Sequence, residues 1–179
     1  MSTITPITIE QYEAFEGYPG LKDELILGKI VLSPQPKPLH QQVTQNVQDL
    51  LRSALRGLPY TVQQNSNVRF RAANSMPAPD VFVITKEQWN RACEIDDYLT
   101  DPPILVIETL SPANRRRTVD LKVELYLSNG VREVWLAHPK KQTLEVIRNG
   151  GRRLGLGRLE LPSPLIGSVE VKAIFERER

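Results

Sequence analysis

Residues 104–126, ILVIETLSPANRRRTVDLKVELY, carry the clearest structural signal in this chain. The stretch opens with four consecutive aliphatic residues, Ile104–Ile107, a run typical of a strand that is buried on both faces. The next residue is Glu108, and an ionised carboxylate is costly to bury without a partner. The stretch therefore predicts a central strand followed by a helix, and it singles out Glu108 as an acid that needs a nearby cation.

The helix after this strand carries Lys122 on its apolar side. At about 100° per residue, with Val119 at zero, Lys122 falls at about 300° on the helical wheel. This position lies between Leu125 and Tyr126, in the middle of the apolar arc. A lone lysine is ordinarily solvated, and its long stem can extend from an apolar face to water. A lysine that points toward the sheet needs a carboxylate instead, and Glu108 is an available partner.

A second acid, Asp80, opens a short apolar strand predicted over PDVFVIT, residues 79–85. If this strand runs antiparallel to the strand of Glu108, the two carboxylates meet at one edge of the sheet. If the strands are parallel, the carboxylates lie roughly 15 Å apart. The connection, residues 86–102, is long enough for either arrangement, so the pattern leaves both open.

Two ionised carboxylates that meet in this way need compensation. At a separation of about 5 Å they repel by roughly 3 kcal/mol at an effective dielectric constant of 20. A shared proton, a salt bridge to Lys122 or a divalent cation such as Mg²⁺ would provide it. The alternative is a buried ion cluster of Asp80, Glu108 and Lys122 that has no chemistry.

The other periodic segments predict further helices and strands around this pair. Apolar residues at helical spacing predict a long amphipathic helix from Leu39 to Leu55. Thr85 and Gln88 form a capping box, which predicts a short helix after residue 85. Further strands are predicted over residues 24–33 (a hairpin that turns at Gly28), 60–70, 131–138, 142–148 and the tail 161–175.

Length and composition limit the class of protein. The 179 residues are most simply one domain, residues 1–179, and the net charge is only +2. The longest aliphatic run is too short to span a bilayer, and MSTITPITIEQYEAF has no features of a secretory signal. We therefore expect a cytoplasmic protein that is not inserted in a membrane.

Cysteine and histidine are too few for a zinc site. Cys93 is alone, so it can form no internal disulfide, and neither His40 nor His138 has a second ligand at helical spacing. His40 is expected to act as a residue of the helix start or of the packing rather than as a ligand. A metal site in this chain would therefore depend on carboxylates.

The chain resembles the Uma2-like family, formerly classed as a domain of unknown function, within the PD-(D/E)XK restriction-endonuclease-like superfamily. The resemblance runs through TIEQYEAF (8–15), DELILGKIVLSPQPKPLH (23–40), PAPDVFVI (77–84), residues 104–148 and LPSPLIGSVEVKAIF (161–175). The superfamily pattern is an Asp after Pro, then an acid, any residue and Lys. Asp80 and Glu108 match its first two parts, whereas Leu110 stands at the lysine position. In this family the lysine is moved to the following helix, where Lys122 stands.

The resemblance implies an α/β (α+β) fold with a restriction-endonuclease-like core. This core is a mixed β-sheet flanked by helices, with extra N- and C-terminal strands and with Asp80 and Glu108 on antiparallel strands. The resemblance also implies Mg²⁺ or Mn²⁺ bound by Asp80, Glu108 and the backbone carbonyl of Thr109, and hydrolysis of phosphodiester bonds. Lys122 would orient the attacking water or offset charge on the phosphate, and Glu24 could supply an outer carboxylate.

The expected partner is DNA. Arg115, Arg116 and Arg117 are consecutive and follow the strand of Glu108, so they are candidates for phosphate contacts. Related enzymes often dimerise to cut both strands, so a homodimer is expected. The leading hypothesis is a metal-dependent endonuclease. The alternatives are a catalytically silent nucleic-acid-binding or assembly module with the same fold, and a metal-dependent hydrolase of another substrate.

Overall fold

The centre of the molecule is a mixed sheet of six strands with helices packed on both faces. The computed structural model describes residues 6–112, 114–155, 158–160 and 168–176. The strands are β1 (Leu21–Ile26), β2 (Lys29–Pro34), β3 (Tyr60–Gln63), β4 (Val81–Thr85), β5 (Leu105–Thr109), β6 (Glu133–His138), β7 (Thr143–Arg148), β8 (Gly151–Gly155), β9 (Arg158–Glu160) and β10 (Ser168–Glu170). The helices are α1 (Ile9–Glu13), α2 (Pro38–Ala54), α3 (Lys86–Ile95), α4 (Arg116–Ser128) and α5 (Val171–Ile174).

The order of the strands in the main sheet is β3-β4-β5-β6-β7-β8. Neighbours pair antiparallel except β5 and β6, which are parallel and are connected through α4. A parallel pair needs such a crossover connection, because the chain must return to the same end of the sheet. The mixed sheet flanked by helices confirms the predicted fold class.

β5 is buried on both faces, as its sequence predicts. Leu105 and Ile107 pack in the core cluster that includes the inner face of α2. Val106 points to the other face and packs in the cluster that includes Val123 and Tyr126 of α4. Fully burying one such aliphatic side chain contributes about 1.5–3 kcal/mol, so β5 is a main anchor for both helical layers.

Pairing between β4 and β5 decides where the two predicted acids lie. Val81 is opposite Ile107 in this antiparallel pair. Asp80 directly precedes β4 and Glu108 directly follows Ile107, so the two acids stand at the same edge of the sheet. The parallel alternative left open by the sequence pattern is therefore wrong.

Two predicted strands differ from the structure. Only Tyr60–Gln63 of residues 60–70 forms a strand, because the backbone of Asn65 has a positive φ of 52° that interrupts an extended run. Of the strand predicted over 161–175, Ser168–Glu170 forms β10, which pairs with β9, whereas Val171–Ile174 forms the helix α5. Residues 161–167 lie outside the described part of the chain. Within the described residues, no helix is long and apolar enough to cross a membrane.

The hairpin turn between β1 and β2 holds the N-terminal segment. Gly28 has a φ of 73°, accepts a hydrogen bond from Ile7 N (3.0 Å) and donates one to Asn74 O (2.9 Å). A Cβ atom on Gly28 would lie 2.6 Å from Pro6 Cβ and 2.9 Å from Asn74 Nδ2. The turn therefore needs glycine both for its backbone conformation and for the close approach of two segments.

Gly28→Ala should lower the free energy of unfolding by about 2–4 kcal/mol, because it combines left-handed strain with a steric clash. Gly20→Ala is the matched control, since Gly20 has a φ of 75° but nothing within 4 Å of the added Cβ. It should cost only the strain, about 1–2 kcal/mol. Urea denaturation of both variants measures the difference, and equal losses would show that close packing at Gly28 is unimportant.

Candidate active site

The edge of the sheet where β5 ends forms the floor of a cleft of about 980 Å³. One wall is the segment from β2 into α2, and the other is the segment from β5 into α4. The charged residues of the floor come from β1, the entry to β4, the end of β5 and α4, and they are Lys22, Glu24, Asp80, Glu108 and Lys122. The structure therefore brings together the two predicted acids, the predicted lysine and Glu24.

Lys122 is buried and its ammonium group is shared by two carboxylates. Its Nζ lies 2.8 Å from Glu108 Oε1 and 2.9 and 3.0 Å from the two carboxylate oxygens of Glu24. The side chains of all three residues are at most 11% exposed. The helical-wheel prediction that Lys122 faces inward toward Glu108 agrees with this geometry, whereas the equally close contact with Glu24 was not predicted.

Further groups hold the two carboxylates that contact Lys122. The Tyr126 hydroxyl donates a hydrogen bond of 2.6 Å to Glu108 Oε1, and the backbone N–H of Ala78 donates one of 2.7 Å to Glu24 Oε1. Tyr126 follows Lys122 by four residues, so both side chains lie on one face of α4. That spacing is the sequence signal by which Tyr126 could have been found.

Asp80 is held from three directions. Its Oδ2 accepts a 2.8 Å hydrogen bond from the backbone N–H of Thr109, which ties the start of β4 to the end of β5. Its Oδ1 lies 3.2 Å from Lys22 Nζ, and its Oδ2 lies 3.2 Å from His40 Nε2. Lys22 could have been found from the sequence, because it stands two residues before Glu24 and residues i and i+2 share one face of a strand.

His40 stands at the start of α2, as the sequence predicts, and it also contacts an acid of the cleft floor. His40 lies in the first turn of α2, lines the cleft and contacts Asp80 with one ring nitrogen. Its other nitrogen, Nδ1, lies 3.4 Å from Thr44 Oγ1, which donates a 2.9 Å hydrogen bond to Thr109 Oγ1. Only the packing of α2 against β5 brings this helix start to the acid, and the sequence around His40 carries no signal for it.

The environments of the two acids shift their pKa values in opposite directions. Burial raises the pKa of Asp80, but the hydrogen bond from His40 and the charges of Lys22 and Lys122 outweigh it and hold this pKa well below its usual range. Burial also raises the pKa of Glu108, and there the charge of Lys122 does not compensate because Asp80 and Glu24 add repulsion. Asp80 is therefore firmly ionised, whereas ionisation of Glu108 is opposed by its surroundings.

Lys122 and Tyr126 both keep their protons. Burial lowers the pKa of Lys122, but the charges of Glu108 and Glu24 outweigh it and raise this pKa above the ordinary value. Burial and the charge of Glu108 raise the pKa of Tyr126 well above 10.0. Lys122 is thus a fixed positive charge and a hydrogen-bond donor, and it cannot serve as a general base near neutral pH.

The oxygen donors of the floor fit a hard divalent cation. Among the described residues, no group of three or more His, Cys, Asp or Glu side chains is arranged to hold a metal ion. Mg²⁺, however, usually takes one or two carboxylates and keeps several of its waters. Asp80 and Glu108 with the backbone carbonyl of Thr109 therefore form a chemically suitable donor set, and Glu24 is engaged by Lys122 instead.

The three consecutive arginines do not act as one group. Arg115 is exposed and lines the cleft. Arg116 donates a 3.0 Å hydrogen bond to Asp120 Oδ2 on the exposed side of α4, and Arg117 is exposed. Of the predicted phosphate contacts, Arg115 alone lines the cleft among the residues described there.

The fold of the chain is shared with a solved structure. It matches a crystal structure described as "a putative nuclease belonging to DUF820" from Anabaena variabilis ATCC 29413, with a TM-score of 0.80. The match covers 95% of this chain and 98% of that chain at 21% sequence identity, a level that shows a shared fold. No curated protein matches the chain.

The family assignment follows from the sequence itself. The profile of the Uma2 family, described as "Putative restriction endonuclease", matches residues 9–170. The chain therefore belongs to the Uma2 family, as its motifs indicated. This range contains every residue of the site described above.

Removing the charge of Lys122 should lower the free energy of unfolding far more than removing the charge of Glu108. Lys122→Met leaves Glu24 and Glu108 buried side by side without a counter-charge, so we expect a loss of about 3–5 kcal/mol in the free energy of unfolding. Glu108→Gln keeps an acceptor for Tyr126 and leaves Lys122 paired with Glu24. Its free energy of unfolding should be unchanged or about 1 kcal/mol higher. Denaturant titrations at neutral pH test this asymmetry, and similar losses in both variants would contradict it.

The effect of Glu108→Gln should depend on pH. Because the pKa of Glu108 is raised above 4.5 in the fold, its contribution to stability is full below that value and is lost as pH rises through the raised pKa. Glutamine cannot ionise, so the advantage of the variant should be largest at neutral pH and should vanish toward about pH 4.5. Paired unfolding measurements from about pH 5 to pH 8 check this trend. An advantage that grows on acidification would mean that the pKa of Glu108 is lowered.

Proposed function

We propose that this protein is a metal-dependent endonuclease that hydrolyses DNA phosphodiester bonds. The single observation that carries the proposal is the antiparallel pairing of β4 and β5. It places Asp80 beside the end of β5, so that Asp80, Glu108 and Lys122 share the floor of one open cleft. Membership of the Uma2 family and the nuclease-like fold support the same reaction class.

Each residue of the floor has a distinct role in this proposal. Asp80, which stays ionised at neutral pH, is one carboxylate ligand, and Glu108, oriented by Tyr126, is the second. The carbonyl of Thr109 completes the donor set. A bound Mg²⁺ or Mn²⁺ would polarise a phosphodiester oxygen and lower the pKa of a bound water.

Lys122 acts through its fixed charge. It stays protonated, so it stabilises the charge that develops on the phosphate rather than accepting a proton. The contact with Glu24 holds the ammonium group of Lys122 next to the carboxylate of Glu108. The resemblance suggested Glu24 as an outer carboxylate, and in this proposal its role is to position Lys122.

One observation favours a second function: each carboxylate of the floor already contacts a lysine or histidine side chain of the protein. Lys122 pairs with Glu24 and Glu108, and Lys22 and His40 contact Asp80. A network of this kind could persist in a catalytically silent nucleic-acid-binding or assembly module, held only for stability. The two functions differ in whether a metal activates the site.

The test is cleavage of supercoiled plasmid and circular single-stranded DNA with Mg²⁺ or Mn²⁺. We expect cleavage of at least one of these substrates that EDTA abolishes, and a rate at least about 10²-fold lower in Glu108→Gln, which retains its fold. The matched control is Glu124→Gln, because Glu124 is an exposed acid on the same helix as Lys122. It should cleave like the wild type.

Two outcomes would count against the endonuclease. If the wild type cleaves neither substrate with either metal, while Glu108→Gln binds DNA equally well and is more stable, the silent module is the better description. If Glu108→Gln cleaves as fast as the wild type, the cleavage does not come from this site.

A further inference from the structure

In the cleft, the acidic side chains lie at the bottom and exposed basic side chains lie around the opening. Among the described residues that line it, the carboxylates all belong to the floor, where Lys22 and Lys122 contact them. The remaining lysine and arginine side chains along it are exposed at its rim, and these are Lys37, Arg115 and Lys140. The exposed charged side chains along the cleft are therefore all cationic, which suits a polyanion that extends across it.

The three rim cations come from three different elements that surround the opening. Lys37 is the N-cap residue of α2, and Arg115 is the N-cap residue of α4. Lys140 lies in the turn between β6 and β7. Cations at two helix starts are unfavourable for the helices themselves, because the N-terminal ends already carry partial positive charge. An anionic ligand at the rim would compensate this charge.

The walls between floor and rim are largely apolar. Leu32 and Leu39 on one wall are 43% and 36% exposed, respectively. Leu110 and Val119 line the other wall. Apolar surfaces of this kind can contact the faces of unstacked bases, whereas in a duplex those faces are covered by neighbouring bases.

The size of the cleft also favours one strand over two. Its volume of about 980 Å³ is that of a cube about 10 Å on each edge. The major groove of B-DNA alone is about 12 Å wide, so a cleft of this volume cannot enclose a complete duplex. The floor carboxylates are at most 8% exposed, so a phosphate must descend into the cleft to reach them.

We propose that the cleft binds a single unpaired DNA strand and excludes intact duplex. The bases lie against the apolar walls, and the phosphates contact Lys37, Arg115 and Lys140. The wall contacts to the bases come from aliphatic side chains, which form no hydrogen bonds to base edges, so these contacts are tolerant of sequence. This inference rests on the proposed function only in taking the cleft as a nucleic-acid site.

The test measures binding without metal, so that it does not depend on cleavage. A fluorescein-labelled 15-nucleotide strand of mixed sequence is compared with the same strand annealed to its complement, by fluorescence anisotropy in EDTA. We expect the single strand to bind about tenfold more tightly than the duplex. Equal or tighter binding of the duplex would overturn the inference.

Matched variants connect this preference to the cleft. Lys140→Ala should weaken binding of the single strand and reduce the slope of log K against log salt by about 0.7, whereas Lys141→Ala, an exposed neighbour outside the cleft, should change neither. Leu39→Ser should weaken binding about threefold to tenfold. Its control is Leu58→Ser, because Leu58 is 39% exposed and lies outside the cleft. Unchanged binding in both Lys140→Ala and Leu39→Ser would overturn the inference.

The two proposals fail in different ways. A protein that prefers the single strand in EDTA but never cleaves supports the strand inference and contradicts the endonuclease. A protein that cleaves through Glu108 but binds duplex as tightly as single strand contradicts the strand inference alone.

Discussion

The contact of Lys122 with Glu24 and Glu108 is the interaction on which the site depends. It joins α4 to β1 and to β5, and Lys122 and Glu24 are 98 positions apart in the chain. A buried ammonium group without partners would be costly, and so would two buried carboxylates. The three segments therefore stabilise one another only when all of them are in place, and the open hairpin of β1 and β2 is held against the sheet by this shared charge.

The same contact leaves the buried negative charges only partly neutralised, which a purely structural cluster does not require. One lysine serves two carboxylates, and a third acid, Asp80, lies close enough to raise the pKa of Glu108. Lys22 and His40 favour the ionised form of Asp80. The pKa values of Asp80 and Glu108, at one edge of the sheet, are therefore shifted in opposite directions. Environments that separate the pKa values of neighbouring acids are common in active sites, where stability is given up for reactivity.

The arrangement of the main sheet makes the cleft. β5 is the point where an antiparallel neighbour, β4, meets a parallel neighbour, β6. The antiparallel side brings in Asp80, and the crossover on the parallel side supplies α4 with Lys122 and Arg115. Because α2 packs on the opposite face of the same strand, its first turn reaches the edge as well and brings His40 and Lys37 to the opening. The chemistry of the floor and the charge of the rim thus have one structural origin.

Features that depend on local periodicity were predictable from the amino-acid sequence alone. The apolar run of β5, the capping box at Thr85, the turn at Gly28 and the inward face of Lys122 could all be predicted, because each depends on residues only a few positions apart. The motifs also indicated the family and its fold. The direction of β4 against β5 could not be derived from the pattern, since both alternatives satisfy the same alternation of buried residues. Only the tertiary structure decided that Lys122 is shared with Glu24 and that Lys22 and His40 hold Asp80. Those contacts depend on strand pairing and helix packing between distant segments, and no local pattern encodes which distant charge a buried charge will meet.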